Sequence, residues 1–108
     1  MASIGAIISA MSRRAVFKPQ ALEHLRWLPV NQQRLVTDGV RRHLVDNDPC
    51  AETRNKFRLR RSSPAADYEL RLADLRVFYR VEESVVSITV IGLKQRHALI
   101  VKGEEFVL

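Results

Sequence analysis

Arg71 and Arg76 are the pair of residues in this chain best placed to do chemistry together. They lie in Tyr68-Glu69-Leu70-Arg71-Leu72-Ala73-Asp74-Leu75-Arg76-Val77-Phe78-Tyr79. Apolar and charged residues alternate there on each side of a short break, the pattern of two half-buried strands joined as a hairpin. With Ala73-Asp74 as a two-residue loop, Leu72 pairs with Leu75 and Arg71 with Arg76. Directly opposed Cβ atoms stand roughly 5 Å apart and like charges there repel, so the pairing calls for an anion on that face. An external phosphate is one answer, since the guanidinium fork matches phosphate oxygens. Glu69, or an acid from elsewhere, neutralising the pair as a surface network is the other.

The surroundings of the pair are basic. Arg54, Lys56, Arg58, Arg60 and Arg61 precede it with no acid among them. Such a run is either a solvated loop or a grip on flanking backbone phosphates. After the hairpin, Lys94, Arg96 and His97 form a second basic stretch. His97 is a candidate for proton transfer, as histidine is the side chain suited to that work near neutral pH, with Glu69 and Lys94 as the other options; a polar loop histidine without a role is the competing reading. His24 and His43 fall in predicted helices, away from the arginine face.

Composition narrows the class. The chain has 108 residues and a formal net charge of +6, enough for one domain with its own core and an acidic partner such as nucleic acid, an anionic membrane or an acidic protein. Cys50 is the single cysteine, which excludes an intrachain disulfide and a cysteine-based zinc site and points to a reducing cytoplasm. No stretch approaches the roughly 20 apolar residues of a membrane span.

The elements that must hold these side chains follow from periodicity. Residues 1–13 read as a flexible N-terminal extension, with Met11 as an alternative start, and residues 14–108 as the domain. Arg14 to Phe17 is a short strand. Pro19 opens a helix to Leu28 with Leu22, Leu25 and Leu28 on one face and Trp27 at its edge. Pro29 ends it, and Val30 to Asp46 is a second helix with Leu35, Val36, Val40 and Leu44 as its stripe, completing an αα-hairpin. Gly39 within it is expected to pack closely on the first helix. Asn47-Asp48-Pro49 stops the helix. The basic run leads through the turn Ser62-Ser63-Pro64 to the arginine hairpin. Val85 to Ile91 is a further strand, with Val86, Ile88 and Val90 on one face and Ser87, Thr89 and Ile91 on the other. Gly92 releases it, and Ala98–Val101 with Glu105–Leu108 form a terminal hairpin around Lys102-Gly103. The order predicts an α+β fold in which the N-terminal strand and αα-hairpin pack on one face of a mainly antiparallel sheet, leaving the arginines on the other.

Several segments together resemble the RelE/ParE superfamily of bacterial type II toxin–antitoxin toxins, and in detail its RelE-like subgroup. They are Phe17-Lys18-Pro19-Gln20-Ala21-Leu22-Glu23-His24-Leu25, Asn47-Asp48-Pro49, Thr53-Arg54-Asn55-Lys56, Tyr68-Glu69-Leu70-Arg71, Asp74-Leu75-Arg76-Val77-Phe78-Tyr79 and Gly103-Glu104-Glu105. The resemblance implies a RelE/ParE-like fold, a small acidic antitoxin as partner, and translation inhibition by metal-independent, cofactor-free cleavage of messenger RNA on the ribosome. It implies Arg71, Arg76 and His97 as catalytic residues, with Arg54, Lys56, Arg58, Arg60, Lys94 and Arg96 binding RNA. A ParE-like inhibitor of DNA gyrase and a non-catalytic antitoxin-bound module are the alternatives. Glu69 stands where the resemblance implies lysine, Ala73 replaces a frequent turn glycine, and no tyrosine follows Tyr79.

Overall fold

Alternating stretches become strands and proline-bounded periodic ones become helices. The computed structural model describes residues 6–10, 13–61 and 63–108. In chain order these form β1 (Ile7–Ala10), β2 (Arg13–Phe17), α1 (Pro19–Trp27), α2 (Val30–Val40), a π-helical turn (Arg41–Val45), β3 (Lys56–Arg58), β4 (Tyr68–Leu72), β5 (Leu75–Glu82), β6 (Val85–Gln95), β7 (Ala98–Val101) and β8 (Glu104–Phe106). The strands make one sheet of order β1-β2-β6-β5-β4-β3, with β7 paired to β6 and β8 to β7. β2 runs parallel to β6; the other pairs are antiparallel. The class is α+β with a mainly antiparallel sheet.

The principal core lies between the helices and one sheet face. Ala21, Leu25, Leu28, Val36, Val40 and Leu44 meet Leu70, Leu75, Val77, Tyr79, Val86, Ile88 and Ile91 there. Pro19 at the first helical position and Pro29 after Leu28 bound α1, as a fixed φ and a missing N–H require. The second helix differs from a uniform α-helix to Asp46. Its last turn widens into a π turn closed by Asp46 N–H on Arg41 O at 2.8 Å, which brings Leu44 and Val45 both into the core. Leu35 is not part of the stripe and faces solvent. Gly39 does pack closely, but against the sheet rather than α1: a Cβ there would lie 2.7 Å from Leu72 Cδ2.

The arginine hairpin has the register that its alternation predicts, with Arg71 opposite Arg76 and Leu72 opposite Leu75. Ala73 takes the left-handed conformation (φ 54°) at the turn where glycine is usual. Lys102 (φ 52°) and Gly103 (φ 80°) likewise turn the β7–β8 hairpin.

Three further sequence expectations are corrected. Ile7–Ala10 is not a free extension but an edge strand paired with β2, Ile7 opposite Val16; Met11 and Ser62, named in the sequence reading, lie outside the described residues. Lys56–Arg58 is a strand rather than loop. In β6, which runs past Gly92 to Gln95, a β-bulge interrupts the alternation: Phe78 pairs with Val90 and Tyr79 with Ile88, leaving Thr89 as the extra residue. The bulge turns Ile91 into the helix-side core and Val90 to the outer face. Val90 there joins Phe78, Ala66 and Val101 in a second, smaller cluster under Leu59, Leu99, Phe106 and Leu108.

Candidate functional site

Strand alternation decides which basic residues share a face. Leu70 and Leu72 point into the helix-side core, so Glu69 and Arg71 point outward, and across the ladder Arg76 and Phe78 do the same. β3 adds Phe57 opposite Glu69. The outer face at this end of the sheet therefore carries Phe57, Glu69, Arg71 and Arg76 as one group.

The anion required by the opposed arginines is Glu69. Its Oε2 accepts from Arg71 Nε at 2.8 Å and lies 3.5 Å from Arg76 Nε. The two guanidinium groups are unequal. Arg76 has a side chain only 14 % exposed, and its Nη1 donates to Ala73 O at 2.6 Å and to Leu75 O at 3.0 Å. Arg71 is 51 % exposed and lies 4.7 Å over the Phe57 ring. Its backbone is held by Asn55, which accepts from Arg71 N–H at 2.6 Å and donates through Nδ2 to Arg71 O at 3.3 Å. Arg76 is thus an anchored positive charge, whereas the terminal nitrogens of Arg71 have no hydrogen-bond partner among the described residues and can take phosphate oxygens. Phe57, Asn55 and Glu69 complete the site; the first two sit in a strand-and-turn segment too short and too basic to read as a strand from sequence.

The other predicted residues distribute as follows. Lys94 and Arg96 are exposed at the β6 end and its turn, and Lys94 N–H donates to Asp74 O at 2.8 Å, tying that end to the arginine hairpin. Lys94, two residues from Gly92 in strand alternation, shares the outer face with Arg76, which pairs with Gly92. His97 is exposed in the β6–β7 turn. From Gly92 to Gln95 the strand advances about 10 Å, and His97 lies beyond it, so it is not part of the Arg71–Glu69–Arg76 group.

Lys56 and Arg58 are separated from that group by the sheet itself. Lys56 pairs with Leu70 and Arg58 with Tyr68, which places both on the helix side. Lys56 is 2 % exposed, and its Nζ donates to His43 O at 2.5 Å. It caps a carbonyl at the negative end of the second helix, where a cation is favourable. Arg13 Nη1 on Val45 O at 3.0 Å and Asn47 Nδ2 on Arg42 O at 2.7 Å do the same work. Desolvation pushes the Lys56 ammonium below its ordinary range, and desolvation followed by the nearby Lys56 charge does so for His43. Lys56 is therefore a structural clamp and not the surface phosphate ligand expected from its place in a basic run. Arg58 lies 5.4 Å over Tyr68, which itself stacks on Tyr79 at 5.2 Å, as the cross-strand pairing of the tyrosines predicts. Arg54 and Arg60 are exposed in the connections flanking β3.

His24 is a buried member of α1 and stands outside the arginine face. Its Nδ1 accepts from Ile91 N–H at 3.2 Å, just past the β6 bulge. Burial, then the Lys102 charge, push this imidazole below its usual range, with Glu23 opposing. Among the described residues, no three His, Cys, Asp or Glu side chains converge as metal ligands, and no helix is long and apolar enough to cross a membrane. Comparison of the chain with family models, with curated proteins and with solved structures returns no match, so its likeness to the RelE/ParE toxins rests on the segments quoted above.

Proposed function

We propose that this chain is the toxin of a type II toxin–antitoxin pair, a cytoplasmic endoribonuclease that cuts messenger RNA on the ribosome. The observation that carries the reading is the Arg71–Glu69–Arg76 group: two opposed guanidinium groups and a carboxylate on a sheet face without helices, with Lys94 beside them. Cleavage without a metal proceeds when the 2′-oxygen attacks the adjacent phosphorus and the bond to the 5′-oxygen breaks. A base takes the 2′-proton, cations hold the charged phosphorane, and an acid returns a proton to the leaving oxygen. Arg71 grips the phosphate, Arg76 adds fixed positive charge, and Glu69 is the acceptor within reach. His97 serves as the acid only if the RNA spans from the hairpin to the β6–β7 turn. A small acidic antitoxin would cover this basic face.

In a translating extract the protein should cut messages within ribosome-bound codons, and Arg71→Ala should slow cutting by about 100-fold, the scale of losing one transition-state donor, with folding intact. A ParE-like gyrase inhibitor is the second reading. It is favoured by the same carboxylate, because Glu69 already satisfies the arginines and such an inhibitor needs no nuclease site. Intact messages together with blocked gyrase supercoiling would select it.

A further inference from the structure

The outer face carries a second concavity, at the opposite end from Arg71. It is a groove of about 480 Å³ where Lys18 and Arg80 stand beside Gln20 and Thr89. Its other wall is apolar, formed by Ala65, Val90, Phe106 and Leu108. Arg80 is fixed from behind by the Ser63 and Pro64 carbonyls, which both accept from its Nη2. Neither Lys18 nor Arg80 forms an ion pair among the described residues; Glu82 and Glu83 line an adjoining cleft that shares Lys18 and Arg80. An apolar wall with a few convergent polar groups and a cationic end is the chemistry of a site for a flat, uncharged ring carrying an anion.

We propose that this groove binds one nucleotide of a single-stranded RNA, its base against Phe106 and Leu108, which cover Val90, and its phosphate on Lys18 and Arg80. The identity of the strand rests on the messenger-cleavage reading. Arg80 lies four residues beyond Arg76 on β5, about 13 Å along the strand. An RNA of a few nucleotides therefore reaches both ends of the face by passing over the small apolar cluster at Phe78. The groove holds a flanking nucleotide while Arg71 meets the scissile phosphate.

The test is an amide NMR titration of the full chain with AMP, adenosine, inorganic phosphate and a short oligoribonucleotide. AMP should move the amides of Gln20, Thr89, Val90 and Phe106 and bind more tightly than adenosine or phosphate alone. Lys18→Ala, an exposed change, should weaken AMP at the groove about tenfold, whereas Arg71→Ala should leave the AMP shifts of the four groove amides in place. The oligoribonucleotide should bind more tightly than AMP and move the Arg71 amide as well. Silence at the four groove amides, or AMP affinity unaffected by Lys18→Ala, overturns the proposal. AMP binding as tightly as the oligoribonucleotide, with Arg71 still, overturns the RNA strand in favour of a free nucleotide. Messenger cleavage with a silent groove defeats this proposal alone, and groove binding without cleavage defeats the nuclease reading alone.

Discussion

The two faces of the sheet handle the same kind of residue in opposite ways. On the helix side, Lys56 is buried with a backbone carbonyl as its hydrogen-bond partner, and its charge serves the end of a helix. On the outer side, Arg71 is half-exposed, stacked on Phe57 and paired with a carboxylate. The residues are neighbours in space across adjoining strands, yet one is locked into the architecture and the other presents its guanidinium to solvent. A basic run in a sequence is therefore not a basic patch: a strand divides it between its faces, residue by residue.

The comparison can be broken most forcefully at the core that separates the faces. Leu70→Ala, at a fully buried position between Glu69 and Arg71, should cost about 2–5 kcal/mol in chemical denaturation, because the removed atoms leave a cavity that packed neighbours cannot fill. A loss below about 1 kcal/mol would mean that the helix-side face is loosely packed. Gly39→Ala presses on the same layer from the helix and should cost about 1–3 kcal/mol, since Leu72 must leave its rotamer to admit the methyl group. An unchanged midpoint would show that Leu72 swings aside freely.

Exchanging the cations sharpens the contrast. Lys56→Ala should lower stability by about 1–2 kcal/mol by leaving His43 O without its donor, while RNA affinity and its salt slope stay unchanged. Arg71→Ala should do the reverse: stability within about 0.5 kcal/mol, with weaker RNA binding and a shallower salt slope. Equal effects of both changes on RNA would collapse the distinction between the faces.

The smallest effect is expected with acid. His24 and His43 both have folded-state values below the ordinary imidazole pKa of about 6.5, so the unfolded chain takes up protons first as pH falls. Their contribution to stability is complete above about pH 6.5 and is lost below it, until pH has passed the lowered folded values. Denaturation midpoints at pH 7.5 and 5.5 should differ in that sense, and His24→Gln should narrow the gap. A midpoint that rises with acid would contradict the desolvation of both rings.

Legibility followed the length and regularity of the pattern. The β4–β5 register was readable because alternation and a two-residue turn leave a single pairing that keeps Leu70 and Val77 inside. β3 was not, because three residues flanked by polar ones carry no period. The bulge at Thr89 was invisible for a related reason: one added residue in a run of β-branched side chains leaves composition unchanged while exchanging the faces of Val90 and Ile91. The candidate site was legible in its arginines, and Glu69 was visible as their competing partner. The expected grouping with Lys56 and Arg58 failed because sequence proximity says nothing about which side of a strand a residue takes, and His97 stands apart in the turn beyond the end of β6.

The parallel junction of β2 with β6 has a temporal meaning. Arg14 meets Val85 and Phe17 meets Ile88, so β2, whose other edge can pair with β1 at once, finds this parallel ladder only when the central strand has been made. At about 5–20 residues per second on the ribosome, β2 waits several seconds or longer in an unfinished chain. During that interval the helices can form and the arginine hairpin can close as local units, but no central strand joins them to β2. The domain is thus assembled in one late step, and a chain stopped before Val85 would hold the helices and the arginine pair without the strand that sets them in one sheet.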